Sequence, residues 1–189
     1  MKHIFLFIAL ILGSTMQSQD KTLPYYEIPE APKKYTAGTM ASRQIDGLGF
    51  RFYWATEGLN VDDLAYKPND KARSTKETIQ HIFNLSQVIL SAALQKPVNK
   101  TDASNMSAQD IRKNVLFNLK QASDILRKAD DLSDFSIDFG DGKTYPFWNA
   151  INGPIADAIW HCGQIASYRR TSGNPINSNI NQFTGALRN

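Results

Sequence analysis

The chain has 189 residues, 42% of them hydrophobic and 21% charged, with a formal net charge of +3 and a pI near 8.9. That length suits one domain with a substantial core and calls for no second. Lysines and arginines are scattered among acids with no basic block interleaved with aromatics, which excludes a nucleic-acid footprint, and the lone cysteine, Cys162, excludes an intramolecular disulfide.

Residues 1–18 begin Met1-Lys2-His3, continue with an apolar run over 4–12 and leave through small and polar residues to Ser18. That order predicts a signal peptide cleaved near Ser18, and hence export to the periplasm or the medium. The run is too short to span a membrane, and no later segment approaches the required length, so no membrane span is expected. Pro24, Pro29 and Pro32 make residues 19–35 an extended arm lying along the domain surface.

Residues 36–175 carry the helical patterns. Met40, Ile45, Leu48, Phe52 and Ala55 recur at helical intervals over about 36–57, and Gly58 supplies a stop. Residues 59–73 read as a polar loop. Ser74-Thr-Lys-Glu77 is a capping box opening a second helix, whose apolar face is Ile79, Ile82, Phe83, Ile89, Leu90 and Ala93 and which Pro97 ends. Ser107, three residues before Asp110, caps a third, with the stripe Ile111, Val115, Leu119, Ala122 and Leu126. Between Asp130 and Tyr145 the pattern alternates around Gly140 and Gly142, as in a loop or short hairpin. The last helix covers His161 and stops at Ser172-Gly173-Asn174-Pro175. It opens either at Pro146, with a kink at Gly153-Pro154, or at Asn152, with Pro154 in its first turn. Residues 176–189 form a polar, irregular surface tail.

Asp157 and His161 are four apart, on one helical face about one turn from each other, and His81 is the remaining histidine once residues 1–18 are removed. A carboxylate and two imidazoles with open positions form the donor set of a reactive metal site. The same spacing serves a hydrogen-bonded structural pair, and spacing alone does not choose between them. Cys162 points about 100° away from His161 and is expected to be buried and inert. Glu77 is committed to its capping box, or serves as a base behind His81 or as a fourth metal ligand. Gln164 orients a ligand or bridges helices, and Arg169 or Arg170 pairs with an anion or with the helix dipole. Trp54, Trp148 and Trp160 are expected in the core.

An early His on the second helix, Trp160-His161-Cys-Gly163-Gln164-Ile165 on the fourth and the following Tyr168-Arg169-Arg170 resemble the DinB/YfiT-like superfamily, over most of the mature chain. Leu64-Ala-Tyr-Lys-Pro68 through to His81 is similar to that family's loop before helix two. The resemblance implies an all-α, up-and-down four-helix bundle. It also implies a divalent metal held by His81, the residue at 157 and His161, with Asp157 standing where the family usually has His. The metal would be Zn, Mn, Fe or Ni, the carboxylate favouring the harder ions. The activities implied are hydrolysis or thiol and group transfer on a small-molecule substrate. The alternative is a non-catalytic bundle binding a small ligand or a protein, and an exposed apolar helix face would allow a homodimer.

Overall fold

The structure, a computed structural model, describes residues 23–188; the expected signal peptide, 1–18, lies outside the described residues. The described chain is predominantly helical. Its four long helices are α1 (Ala37–Thr56), α3 (Thr75–Ala93), α4 (Ala108–Leu126) and α6 (Ala156–Ser172). Between them stand two short helices, α2 (Val61–Ala65) and α5 (Trp148–Ala150), and the small antiparallel pairs β1 (Ser136–Asp138) with β2 (Thr144–Pro146) and β3 (Ile180–Asn181) with β4 (Ala186–Leu187). α1 packs against α4 and α6, and α3 against the same two, so each long helix meets two others around one shared core.

The starts of three long helices follow from their caps. Thr36 accepts the Thr39 amide, Ser74 that of Glu77 and Ser107 that of Asp110, each quenching one of the amides a helix leaves free at its first turn. The stripe Ile111, Val115, Leu119, Ala122 and Leu126 is fully buried, as its periodicity requires. In α1 burial widens beyond a stripe: Phe50, Phe52, Tyr53 and Trp54 are all inside. Tyr26, Tyr53 and Trp54 meet there at centroid distances of 5.1–5.9 Å, with Tyr26 and Tyr53 edge to face. Met40, counted in the apolar face of α1, is instead 55% exposed.

Three other expectations are corrected. The stretch 59–73 is not wholly loop, because Asn60 and Asp63 exchange reciprocal side-chain to backbone bonds and hold the one-turn helix α2. The tail is not an irregular surface segment. Its β3–β4 hairpin docks on the arm, where the Ile28 amide donates to Gly185 O at 2.8 Å. Gly185 sits at φ +73°, and a Cβ there would come within 2.4 Å of Ile28 Cδ1. The arm is also more than a surface strap. Tyr25 is buried and donates its hydroxyl to Asp46 Oδ1, which accepts from Ser123 as well, while Arg127 pairs with the other carboxylate oxygen. Gly49 makes room for that tyrosine ring, which a Cβ would meet at 2.3 Å.

The last helix resolves the two alternatives for its start. It opens directly after Pro146 as α5, passes through a π-helical stretch, Ile151–Ile155, and becomes regular only from Ala156. Gly153 has ψ −113°, outside the helical region, where Pro154 follows and cannot donate. The kink has an identifiable cause: a glycine and a proline within a wide turn.

Candidate metal centre

His81 lies two turns inside α3, and Asp157 and His161 lie in the first turns of α6, which packs against α3. Four-residue spacing aligns Asp157 under His161, and the contact between α3 and α6 carries His81 to them. The three side chains converge, with one ligand atom from each within 4.8 Å of the others. Asp157 Oδ2 is 3.1 Å from His81 Nε2, and its Oδ1 is 3.2 Å from His161 Nε2. The imidazole rings meet edge to face, centroids 4.7 Å apart. These separations match those between adjacent ligands of one ion, about 3.0–3.5 Å for metal–ligand bonds of about 2.1 Å. Among the described residues this is the group of His, Cys, Asp and Glu side chains able to hold a metal ion.

The hydrogen bonding of His161 sharpens the point. Its Nδ1 lies 2.7 Å from Gln164 Oε1, a carbonyl-type acceptor, so Nδ1 carries the proton and donates it. In a neutral ring that leaves the lone pair on Nε2, the atom facing the Asp157 carboxylate. Lone pair and carboxylate repel unless a proton or a metal cation sits between them. An outward N–H anchored on a carbonyl is also how ligating histidines are usually held in orientation. Gln164 therefore orients His161, the first of the two roles open to it in the sequence.

Exposure grades across the group. The His161 side chain is 13% exposed, His81 28% and Asp157 39%, so the carboxylate edge opens to solvent while His161 is walled in. An ion held by these three side chains would keep positions for water or a small molecule at that open edge.

The neighbouring candidates divide. Glu77 accepts the Ser74 amide at 2.7 Å and its hydroxyl at 3.0 Å, which hold its carboxyl below the usual range; it is spent on the cap. Cys162 is buried, and burial pushes its thiol up to about 12, so it is no thiolate nucleophile. Arg169 is not a surface cation awaiting an anion. It is 4% exposed and its guanidinium donates to Trp54 O, Ala55 O, Glu57 O and Asn174 O, closing the C-terminal end of α1. Arg170 is exposed and reaches Ser167. Trp54 is in the core as expected, but Trp148 and Trp160 are 75% and 73% exposed.

Two further features lie along α6 beyond His161. Tyr168, seven residues past His161 and on its face, meets Tyr66 with ring centroids 5.6 Å apart and the planes tilted by 54°. Asp63 accepts from Ser172 and Asn174, both at 2.6 Å, and so ties α2 to the end of α6. The 161, 164, 168 spacing carried the first signal; nothing local carried the second. No protein-family model matches the chain, and no curated protein is significantly similar to it.

Proposed function

We propose that this protein is an exported, DinB/YfiT-like up-and-down four-helix bundle that binds a divalent metal through His81, Asp157 and His161 and acts on a small molecule by hydrolysis or group transfer. The observation that carries this reading is the convergence of two imidazole Nε2 atoms on one carboxylate, with Gln164 fixing the tautomer of His161. A bound divalent ion supplies Lewis acidity there, polarising an oxygen or activating a thiol or water. The protein's own groups do the rest: Gln164 holds the His161 ring, Asp157 offsets cationic charge, and the open carboxylate edge admits a substrate. Because the Cys162 thiol is buried and held protonated, any thiol in a transfer reaction has to come from a co-substrate. Export is supported by the order of charge, apolar run and polar exit in residues 1–18.

Metal quantitation on purified protein tests the proposal. One equivalent of a divalent ion in the native chain, lost in His161→Ala, is expected. Asp157→His keeps binding and moves selectivity toward zinc or nickel, since imidazole suits those ions better than a carboxylate. Native protein that binds no divalent ion under saturating conditions leaves the three side chains as a hydrogen-bonded structural group and ends the enzyme reading.

A further inference from the structure

On the opposite side of α6 from His161 the chain builds a second, chemically distinct site. Residues 157, 161, 164 and 168 share one face of that helix, whereas Ile159, Gly163 and Ala166 lie across from it at about 100° per residue. Between this far face, α1 and the tail runs a cavity of about 480 Å³. It shares Gln44 and Ile151 with a cavity of about 380 Å³ at the start of α1. It also shares Arg51, Ile159 and Gln182 with a third of about 270 Å³. Together these spaces form one elongated groove with unlike parts.

The middle is cationic, with Arg51 reaching on into the third cavity. Arg43 and Arg51 both line the central cavity. Arg51 leans back one turn to donate to Gly47 O at 2.9 Å, and a Cβ at Gly47 would approach its Nη1 to 3.2 Å, so the glycine leaves that path clear. Arg43 donates to Pro29 O of the arm. Neither arginine forms a salt bridge among the described residues, and no acid lines any of the three cavities. The end at the start of α1 is apolar, built from Met40, Leu132, Phe147 and Trp148 and free of charged side chains. Ile151 and Ile155 of the π-helical stretch line the path between them, and Phe183, 94% exposed, stands at the rim.

We infer that this groove binds a monomeric medium-chain fatty-acid-type anion, its carboxylate on Arg51 and its hydrocarbon chain running to Met40 and Trp148. Charge complementarity selects the head, because the Arg51 guanidinium has unused donors and no acidic partner and can take a carboxylate. The apolar, uncharged far end selects the tail. Length selects the size: Met40 and Gly47 are about 10 Å apart along α1, which a saturated chain of about eight to ten carbons spans at C–C bonds of about 1.5 Å. The arm and tail that exceed the helical core then have a task, since Ile28, Gln182 and Phe183 complete the groove wall.

Titration calorimetry on the full mature chain, with decanoate below its micelle concentration, tests the site. Saturable one-to-one binding is expected, with decanol about tenfold weaker or more because it lacks the charge-assisted bonds. Arg51→Gln should weaken decanoate about tenfold and leave decanol unchanged. Gln44→Glu, an exposed substitution that folding tolerates, should do the same by repulsion. His161→Ala should change neither ligand. The inference is overturned if decanoate does not bind, or if decanol binds as tightly. Loss of binding in His161→Ala rather than Arg51→Gln would place the carboxylate at the His/Asp/His group and equally overturn it. So would binding to phosphatidylglycerol vesicles without binding to monomeric decanoate, which would mark a membrane surface as the occupant.

Discussion

Replacing Arg169 with methionine should cost about 3 kcal/mol of stability while leaving His81, Asp157 and His161 in place. The figure comes from its four acceptors. Two contacts are short, 2.6 Å to Glu57 O and 2.8 Å to Asn174 O, and two are long, 3.2 Å to Ala55 O and 3.4 Å to Trp54 O. At roughly 1.5–3 kcal/mol for a hydrogen bond to a charged group, the short pair alone contributes about 3–6 kcal/mol. Against this stands the cost of burying a cation, which methionine does not incur. That cost is visible as a lowering of the Arg169 pKa by burial, which Asp63 and Glu57 partly oppose. Three of the carbonyls it leaves behind, those of Trp54, Ala55 and Glu57, belong to the C-terminal end of α1, where no helical amide can reach them, and the fourth, Asn174 O, lies just beyond α6. Urea denaturation gives the number directly, and a domain of this size should melt about 6–12 °C lower. Lysine should recover less than half of the loss, because one ammonium cannot fork between the end of α1 and Asn174. A loss below about 1 kcal/mol, accompanied by loss of binding to an anionic ligand, would refute the reasoning and return Arg169 to the role of a ligand-binding cation.

Gly38→Ala should destabilise by more than about 2 kcal/mol, since its Cβ would lie 2.1 Å from Leu126 O and 2.3 Å from Ala129 O, backbone atoms that cannot step aside; chemical denaturation measures it. Gly163→Ala, with nothing within 4 Å of its Cβ in mid-helix, should instead stabilise by up to about 1 kcal/mol in the same assay. Asp63 is partly opposed by burial, yet bonds from Ser172, Asn174 and the Asn60 amide and the charge of Arg169 hold its pKa below the usual 3.8. The unfolded chain therefore takes up that proton first as pH falls, so the Asp63 contribution is present above about pH 4 and is lost as pH drops through the folded value. Stability measured from pH 6 to pH 2 should fall more steeply in the native chain than in Asp63→Asn. Cys162 should resist a disulfide-exchange reagent at pH 8 in the folded protein and react at once in denaturant, because burial pushes its thiol up to about 12.

What could be read ahead of the structure was whatever is local. Ser74 with Glu77, and the apolar stripe from Ile111 to Leu126, announce helices because a cap and a 3.6-residue period act within one or two turns. Asp157 and His161 were legible as one face for the same reason. The helix at Val61–Ala65 escaped because its five residues are too few for a period, and only the Asn60 and Asp63 exchange reveals it. Arg169 could not be separated from Arg170 in sequence. Their difference lies in the end of α1, more than a hundred residues away in the chain. Trp148 and Trp160 look like core by size alone, and only the paths of α5 and α6 turn them outward. His81 joining Asp157 required α3 and α6 to be neighbours, which no local pattern states.

The π-helical turn at Ile151–Ile155 acts as a phase shifter in the last helix. Each residue added to or taken from a helix turns everything beyond it by about 100°, and the wide, kinked turn at Gly153 takes up one extra residue. Trp148 ahead of the turn and Asp157 beyond it are thereby uncoupled in azimuth, one facing water and the other α3. Drawing the same five residues to regular pitch, as helix-forming replacements for Gly153 and Pro154 would favour, would turn Asp157 and His161 together by about 100° off the line to His81. The angular setting of the centre is thus held by a segment that contributes no side chain to it.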